Sequence, residues 1–162
     1  MPFDIDWASV YWNLTYLAAA YVLALPVALE REAHSRSAGL RTFPLVAVAS
    51  CAYMLVGINV LDSSDAEARV FQGIITGIGF VGGGAILKSQ SHTTGTATAA
   101  SLWSTGAIGV AVAWNHFEIA LLLSIVTFAS LRLLSPAKQA LNGHGDQEGE
   151  RAASRTTRDE DG

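Results

Sequence analysis

The sequence predicts an all-α membrane protein, a bundle of five transmembrane helices with a glycine-rich third helix at its centre. Three observations carry this. Just over half of the 162 residues are apolar and 15% are charged, against about a quarter in soluble domains. The apolar residues gather into five runs, roughly 10–29, 43–61, 70–87, 97–114 and 117–134, each 18 to 20 residues long. The charges collect between these runs, chiefly at 30–41 and after Ser135. A helix of about 20 residues crosses the roughly 30 Å hydrocarbon layer. A soluble helix of that length would carry a polar face, and these runs carry almost none.

The first run, 10–29, follows Asp4 and Asp6 without a basic flank, so a retained span is expected rather than a cleaved signal peptide. Pro26 lies a turn before its end and is expected to kink it. Arg41 and Thr42 introduce the second run, which holds the lone Cys51. One cysteine gives neither an internal disulfide nor a CxxC metal pattern, so Cys51 is expected in the core.

The third run contains GIGFVGGG, Gly77 to Gly84. Its first six residues have the G-x-G-x-x-G spacing of a dinucleotide-binding turn. That fingerprint needs a preceding strand and an acidic residue about 20 positions on, whereas the next acid is Glu118, inside a membrane-length context. A Walker A loop fails too, because Leu87 rather than Gly precedes Lys88. Helical geometry gives the glycines another use. At about 100° per residue, Gly73, Gly77 and Gly84 share one narrow wedge and Gly79, Gly82 and Gly83 the other side. Small residues on two faces admit two close neighbours, which is why this helix is expected at the centre. Replacing Gly77 with Leu should then disturb folding more than replacing Ala19 with Leu. A rival reading has Gly82-Gly83-Gly84 break the helix and open carbonyls to a cavity.

The fourth run repeats small residues at Ala97, Ser101 and Thr105, with Gly106 and Gly109 beyond, a packing seam. Trp114-Asn115-His116 separates it from the fifth run. After Ser135-Pro136 the chain turns polar, and the tail 135–162 is expected to be disordered.

With five spans and the N-terminus outside, nine of the ten Lys and Arg residues fall on the inner side and Arg69 alone outside. The bias of basic residues toward the cytoplasm therefore predicts N-terminus out and C-terminus in.

Residues 26–43, PVALEREAHSRSAGLRTF, crowd Glu30, Arg31, Glu32, Arg36 and Arg41 around one loop. Glu30 sits at the hydrocarbon edge, where an unpaired carboxylate is costly. Glu30, Arg31, Glu32 and Arg41 are expected to form an ion-pair network there, the candidate functional site, with Glu30 meeting Arg41.

Three blocks, LEREAHSRSAGLRT, DAEARVFQGIITGIGFVGGGAIL and GTATAASLWSTGAIGVAV, resemble the MgtC/SapB family of bacterial inner-membrane proteins in order and spacing. The resemblance covers roughly 14–134 and is to the short form, without a soluble C-terminal domain. It extends over Glu30, Arg31, Glu32, Ala38 to Thr42, Arg69, Gly73, Gly77, Gly79, Gly82, Gly95, Thr98 to Ala100, Trp103 and Gly109. It implies a five-helix integral domain in the inner membrane. It also implies a link to growth under low magnesium, survival in host cells for pathogens, and regulation of other membrane proteins, the ATP synthase included. Arg69 joins the candidate charged cluster on this basis. Two departures stand out. Phe43-Pro44 follows Leu-Arg-Thr where the family often has His, and Gly95 to Ala100 reads GTATAA rather than Gly-Leu-Thr-Thr-Ala-Ala.

Three functions compete. A regulatory or interaction protein needs packed helices and partner surfaces: the bilayer, other membrane proteins or a second copy. A transporter or channel for Mg²⁺ or another small ion needs oxygen ligands at membrane depth, and the runs place no Asp or Glu near their middles. An enzyme needs a nucleophile with its base, a metal cluster or a phosphate loop; none is visible, and His34, His92, His116 and His144 are scattered. The reading is therefore a non-enzymatic protein without cofactor. No basic stripe with interleaved aromatics points to nucleic acid.

Overall fold

The computed structural model describes residues 5–34, 38–61, 63–88 and 93–134; the tail 135–162 lies outside the described residues. Five helices are present there: α1 Trp7–His34, α2 Thr42–Val60, α3 Ser64–Gly84, α4 Thr96–Ala113 and α5 Phe117–Leu134. Two short strands, β1 Leu87–Lys88 and β2 Thr93–Thr94, pair antiparallel between α3 and α4, Leu87 opposite Thr94. Met1–Phe128 forms one compact unit, which holds α1 to α4 and most of α5; in the second, Ala129–Gly162, the described residues are the last turns of α5.

The sequence marks the helix ends by ordinary capping chemistry. Asp6 precedes α1 and accepts from the Ala8 amide and the Ser9 hydroxyl. Helix α1 runs through Pro26 unbroken. Helix α3 begins six residues before its apolar run because the Ser63 hydroxyl accepts from the Ala66 amide and Asp65 and Glu67 occupy the first turn, where the helix dipole favours acids. It remains helical through Gly84, so neither the dinucleotide turn nor the glycine break exists. Helix α4 ends in a Schellman arrangement: the His116 amide donates to the Ala111 carbonyl and Asn115 to Val112, both at 2.9 Å, with Asn115 at φ 61°. Asn tolerates that left-handed position, which is how Trp114-Asn115-His116 separates the last two helices.

Helices α1, α2, α4 and α5 are each long and apolar enough to cross a membrane. Helix α3 runs beside them for the height of the bundle, with Val70 against Gly57 at one end and Gly82 against Ala99 at the other. Its opening turns carry Asp65, Glu67 and Arg69, which lowers its apolar character.

The central helix is α4, not α3. It packs against α1, α2 and α3, and 67% of it is buried, against 11% of α5. Bulk decides this. A Cβ on Gly109 would collide with the Ala47 carbonyl, and one on Gly106 with the Ile78 side chain, so α4 is where backbones approach most closely. On α3, Gly82 touches Ala99 and Gly79 lies near the Trp103 indole, but Gly73, Gly77, Gly83 and Gly84 have nothing within 4 Å of a Cβ position. The expected severity of the Leu substitutions therefore reverses, since Ala19 packs against the core cluster and Gly77 faces open space.

The core is formed by Ala20, Ala24, Ala47, Cys51, Met54, Ile108, Val112 and Ala120. Two hydroxyls of the α4 seam are satisfied by their own helix: Ser101 donates to the Ala97 carbonyl and Thr105 to the Ser101 carbonyl, each at 2.7 Å. Ser124 of α5 instead crosses to the Leu23 carbonyl at 2.7 Å. In hydrocarbon an unsatisfied hydroxyl is costly, so these bonds let the seam be both small and polar.

Candidate functional site

Of the expected charged cluster, Glu30, Arg31 and Glu32 lie where α1 ends, with Arg31 against the start of α4, and their pairing differs from expectation. Arg31 turns across the bundle and donates to the Thr98 hydroxyl at 2.9 Å. Thr98 is 1% exposed, and Arg31 Nε is itself buried without a hydrogen-bond partner among the described residues. Glu30 is also buried; its carboxylate lies 3.2 Å from His34 Nδ1, which also lies 3.0 Å from the Glu30 carbonyl oxygen. Glu32 turns outward and accepts from the Leu40 amide at 2.9 Å. Gly39 lies directly beneath that carboxylate, where a side chain would overlap it.

Arg41 does not meet Glu30. It is exposed, immediately before α2, and the ion pairs among the described residues are His34–Glu30 and His116–Glu118. The geometry explains why. Glu32, not Glu30, reaches back to the loop, and it binds backbone rather than guanidinium. Arg69 lies at the other end of the bundle, one residue from Val70 and its neighbour Gly57, and so belongs to no cluster with Glu30. Arg36 lies outside the described residues. Phe43, at the position where the family often has His, is fully buried with Pro44 beside it, so this chain has an apolar core side chain there and no titratable group.

Sequence reasoning missed Thr98 and His34 as partners. For His34 the signal was available, since Glu30 and His34 stand four apart on one helix and such pairs are neighbours. For Thr98 the hint was weaker: a basic residue at the end of one span and a threonine at the start of another.

Two open spaces flank this core. At the opposite end a polar recess of about 630 Å³ is lined by Asn13, Tyr16 and Asn59 among others, with Tyr16 Oη 3.4 Å from Asn115 Oδ1. A wholly different, apolar groove of about 460 Å³ runs between α2 and α3. Among the described residues no three His, Cys, Asp or Glu side chains converge on a metal-binding geometry.

Hydrophobic helices locked by a small-residue seam, with a part-buried Arg–Thr bond tying the first helix to the fourth, define a multi-pass helical membrane protein. The chain belongs to the MgtC family, whose model its residues 17–140 match. It is 36% identical over 126 residues to Protein MgtC of Salmonella typhimurium strain LT2, covering 78% of this chain and 54% of that protein. Protein MgtC of Brucella abortus strain 2308 is 33% identical over 135 residues, 83% of this chain and 56% of its own. An uncharacterised protein of Synechocystis sp. is 36% identical over 134 residues, 81% and 56%. The chain thus spans about half the length of the curated relatives it matches. No solved structure matches it.

Proposed function

We propose that this protein is a regulatory or interaction component of the bacterial inner membrane, linked to magnesium limitation or membrane energetics, inserted with its N-terminus outside and its C-terminus in the cytoplasm. The observation that carries this reading is the closed seam along α4. Leu102, Thr105, Ile108 and Val112 are fully or almost fully buried, and the Ser101 and Thr105 hydroxyls are already spent on backbone carbonyls. Such a seam is suited to holding helices together. A Mg²⁺ path would instead offer free oxygen ligands and room for the several waters that the ion retains. The Arg31–Thr98 and Glu32–Leu40 contacts give the cytoplasmic mouth a fixed shape for a partner to recognise, and the charge bias supports the orientation.

Ion transport is the second reading. The polar recess of about 630 Å³ at the outer mouth favours it, because a carrier needs a hydrated entry. Reconstitution into liposomes loaded with a Mg²⁺-sensitive dye separates the two. Under the regulatory reading, vesicles with and without protein show the same flux, while the protein supports growth of a family-deficient strain in low magnesium. Protein-dependent flux would overturn it.

A further inference from the structure

The groove between α2 and α3 is walled by Val46, Ala49 and Tyr53 on one side and by Gly73, Gly77 and Val81 on the other. Its rim is open, with Tyr53 exposed. The buried edge of α3 is the row Val70, Ile74, Ile78 and Gly82, each packed against α2 or α4. The adjoining face is bare: a Cβ at Gly73 or Gly77 would meet nothing within 4 Å, and Phe80 on the same side is 86% exposed. Glycines spaced by four permit close backbone approach of another helix, an approach that packing among the described residues does not use at Gly73 and Gly77.

The glycine stripe continues into charge toward the start of α3. Asp65, Arg69, Gly73 and Gly77 stand four apart, so they form a stripe that winds by about 40° per step, about 120° from Asp65 to Gly77, a path that a crossing helix would follow. Asp65 and Arg69 are both exposed, and neither takes part in the ion pairs found among the described residues. Helical side chains lean toward the helix N-terminus, so Arg69 reaches outward, to the level of Asp65. When two copies of α3 lie side by side in the same orientation, related by a two-fold axis along the membrane normal, Arg69 of each arrives beside Asp65 of the other. A two-fold interface must be complementary to itself, and a stripe with one acid and one base a turn apart is.

We propose that the α2–α3 groove is the homodimer interface of this protein, with Gly73 and Gly77 at the helix crossing and reciprocal Arg69–Asp65 pairs at its outer end. An isolated copy would expose two unpaired charges and a cleft to lipid tails. Pairing fills the cleft with a helix and satisfies both charges at a boundary where they are costly.

The test uses the full chain, labelled at its N-terminus with donor or acceptor dye, co-reconstituted in phosphatidylcholine–phosphatidylglycerol vesicles at increasing lipid-to-protein ratios. Energy transfer should fall with dilution as a dimer dissociates. Gly77→Ile should weaken association about tenfold or more without lowering the thermal stability of the monomer in detergent, because nothing lies within 4 Å of a Cβ there and Ile is a better helix former than Gly. Gly73→Ala, a milder change, covers the case in which isoleucine disturbs insertion. Arg69→Asp and Asp65→Arg should each weaken association, and the double reversal should restore it. Absence of transfer at every dilution overturns the proposal and leaves the groove to lipid tails or another protein's helix. Transfer unaffected by Gly77→Ile, or a double reversal no better than the single changes, also overturns it.

Discussion

The Arg31 guanidinium on α1 donates to the Thr98 hydroxyl on α4, 2.9 Å away across 67 positions of sequence. It is a long-range side-chain bond between two spans, made where Thr98 is closed off from surroundings. It fixes how far α1 and α4 can slide past each other at that end of the bundle.

Thr98→Val keeps the shape of the side chain and removes the acceptor. A hydrogen bond to a charged group contributes about 1.5–3 kcal/mol, and Arg31 Nε already lacks a partner among the described residues. The variant is expected to lose stability by about that amount in denaturant unfolding of the purified protein in micelles, whereas Thr98→Ser should retain most of it. A midpoint for Thr98→Val equal to wild type would mean that the bond is immaterial.

The glycines should sort by position rather than by motif. Gly109→Ala drives a methyl into the Ala47 carbonyl, and overpacking of this kind costs about 1–3 kcal/mol or more. Gly77→Ala meets nothing and replaces a poor helix former by a good one, a gain of up to about 1 kcal/mol. Thermal unfolding of the two variants in micelles should therefore move in opposite directions. Two shifts of the same sign and size would contradict the close Gly109–Ala47 approach and the open space at Gly77.

This contrast marks what the sequence can disclose. Helix number, type and most ends were legible, because membrane length and apolar composition are local properties of each run. The α4–α5 break at Asn115 was legible for the same reason. The centre of the bundle was not. Glycine content announces that a helix can be approached closely, but not whether anything approaches it, and α4 took that place with fewer glycines. At the charged end, residue types placed Glu30, Arg31 and Glu32 together at the end of α1, while their partners depended on side-chain direction. Glu32 reached backbone, Arg31 reached another helix, and Arg41 stayed exposed. The strand pair Leu87–Lys88 and Thr93–Thr94 escaped notice because its two-residue strands carry too little pattern to detect.

The loop after α1 is held by Glu32 and made possible by Gly39. The Leu40 amide donates to the Glu32 carboxylate, and Gly39 leaves the room that this carboxylate occupies. Gly39→Val should displace Glu32, and Glu32→Ala should free the Leu40 amide. A charge-assisted bond of this kind, at an exposed site, contributes on the order of 1 kcal/mol. Both variants are expected to be cut faster by a protease near residues 38–41 in inside-out membrane vesicles, with Glu32→Gln cut at close to the wild-type rate. Equal cleavage of all four proteins would show that the contact does not order the loop.

The proposed orientation makes a separate prediction. A reporter active only in the periplasm should be silent when fused after Pro136 and active when fused at the α2–α3 turn near Ser63. Activity after Pro136 would invert the assignment, and with it the placement of the Arg31–Thr98 contact on the cytoplasmic side.

Asp6 supplies the pH-dependent test. Its carboxylate accepts from the Ser9 hydroxyl and the Ala8 amide, and these bonds, Ser9 first, hold its pKa below the ordinary 3.8. A carboxylate whose pKa is depressed by folding stabilises the fold when ionised. The stabilisation of the first turn of α1 is thus complete above the ordinary value and is lost as pH falls through the depressed one. Carboxyl resonances followed by NMR in micelles should place the Asp6 midpoint below 3.8, and Ser9→Ala should bring it back toward that value. Asp6→Asn, which caps a helix about as well as Asp, should keep Ala8 and Ser9 amides protected without the acid-dependent loss. An Asp6 midpoint at or above the ordinary value, or one indifferent to Ser9→Ala, would mean that this cap does not form in the membrane-inserted protein.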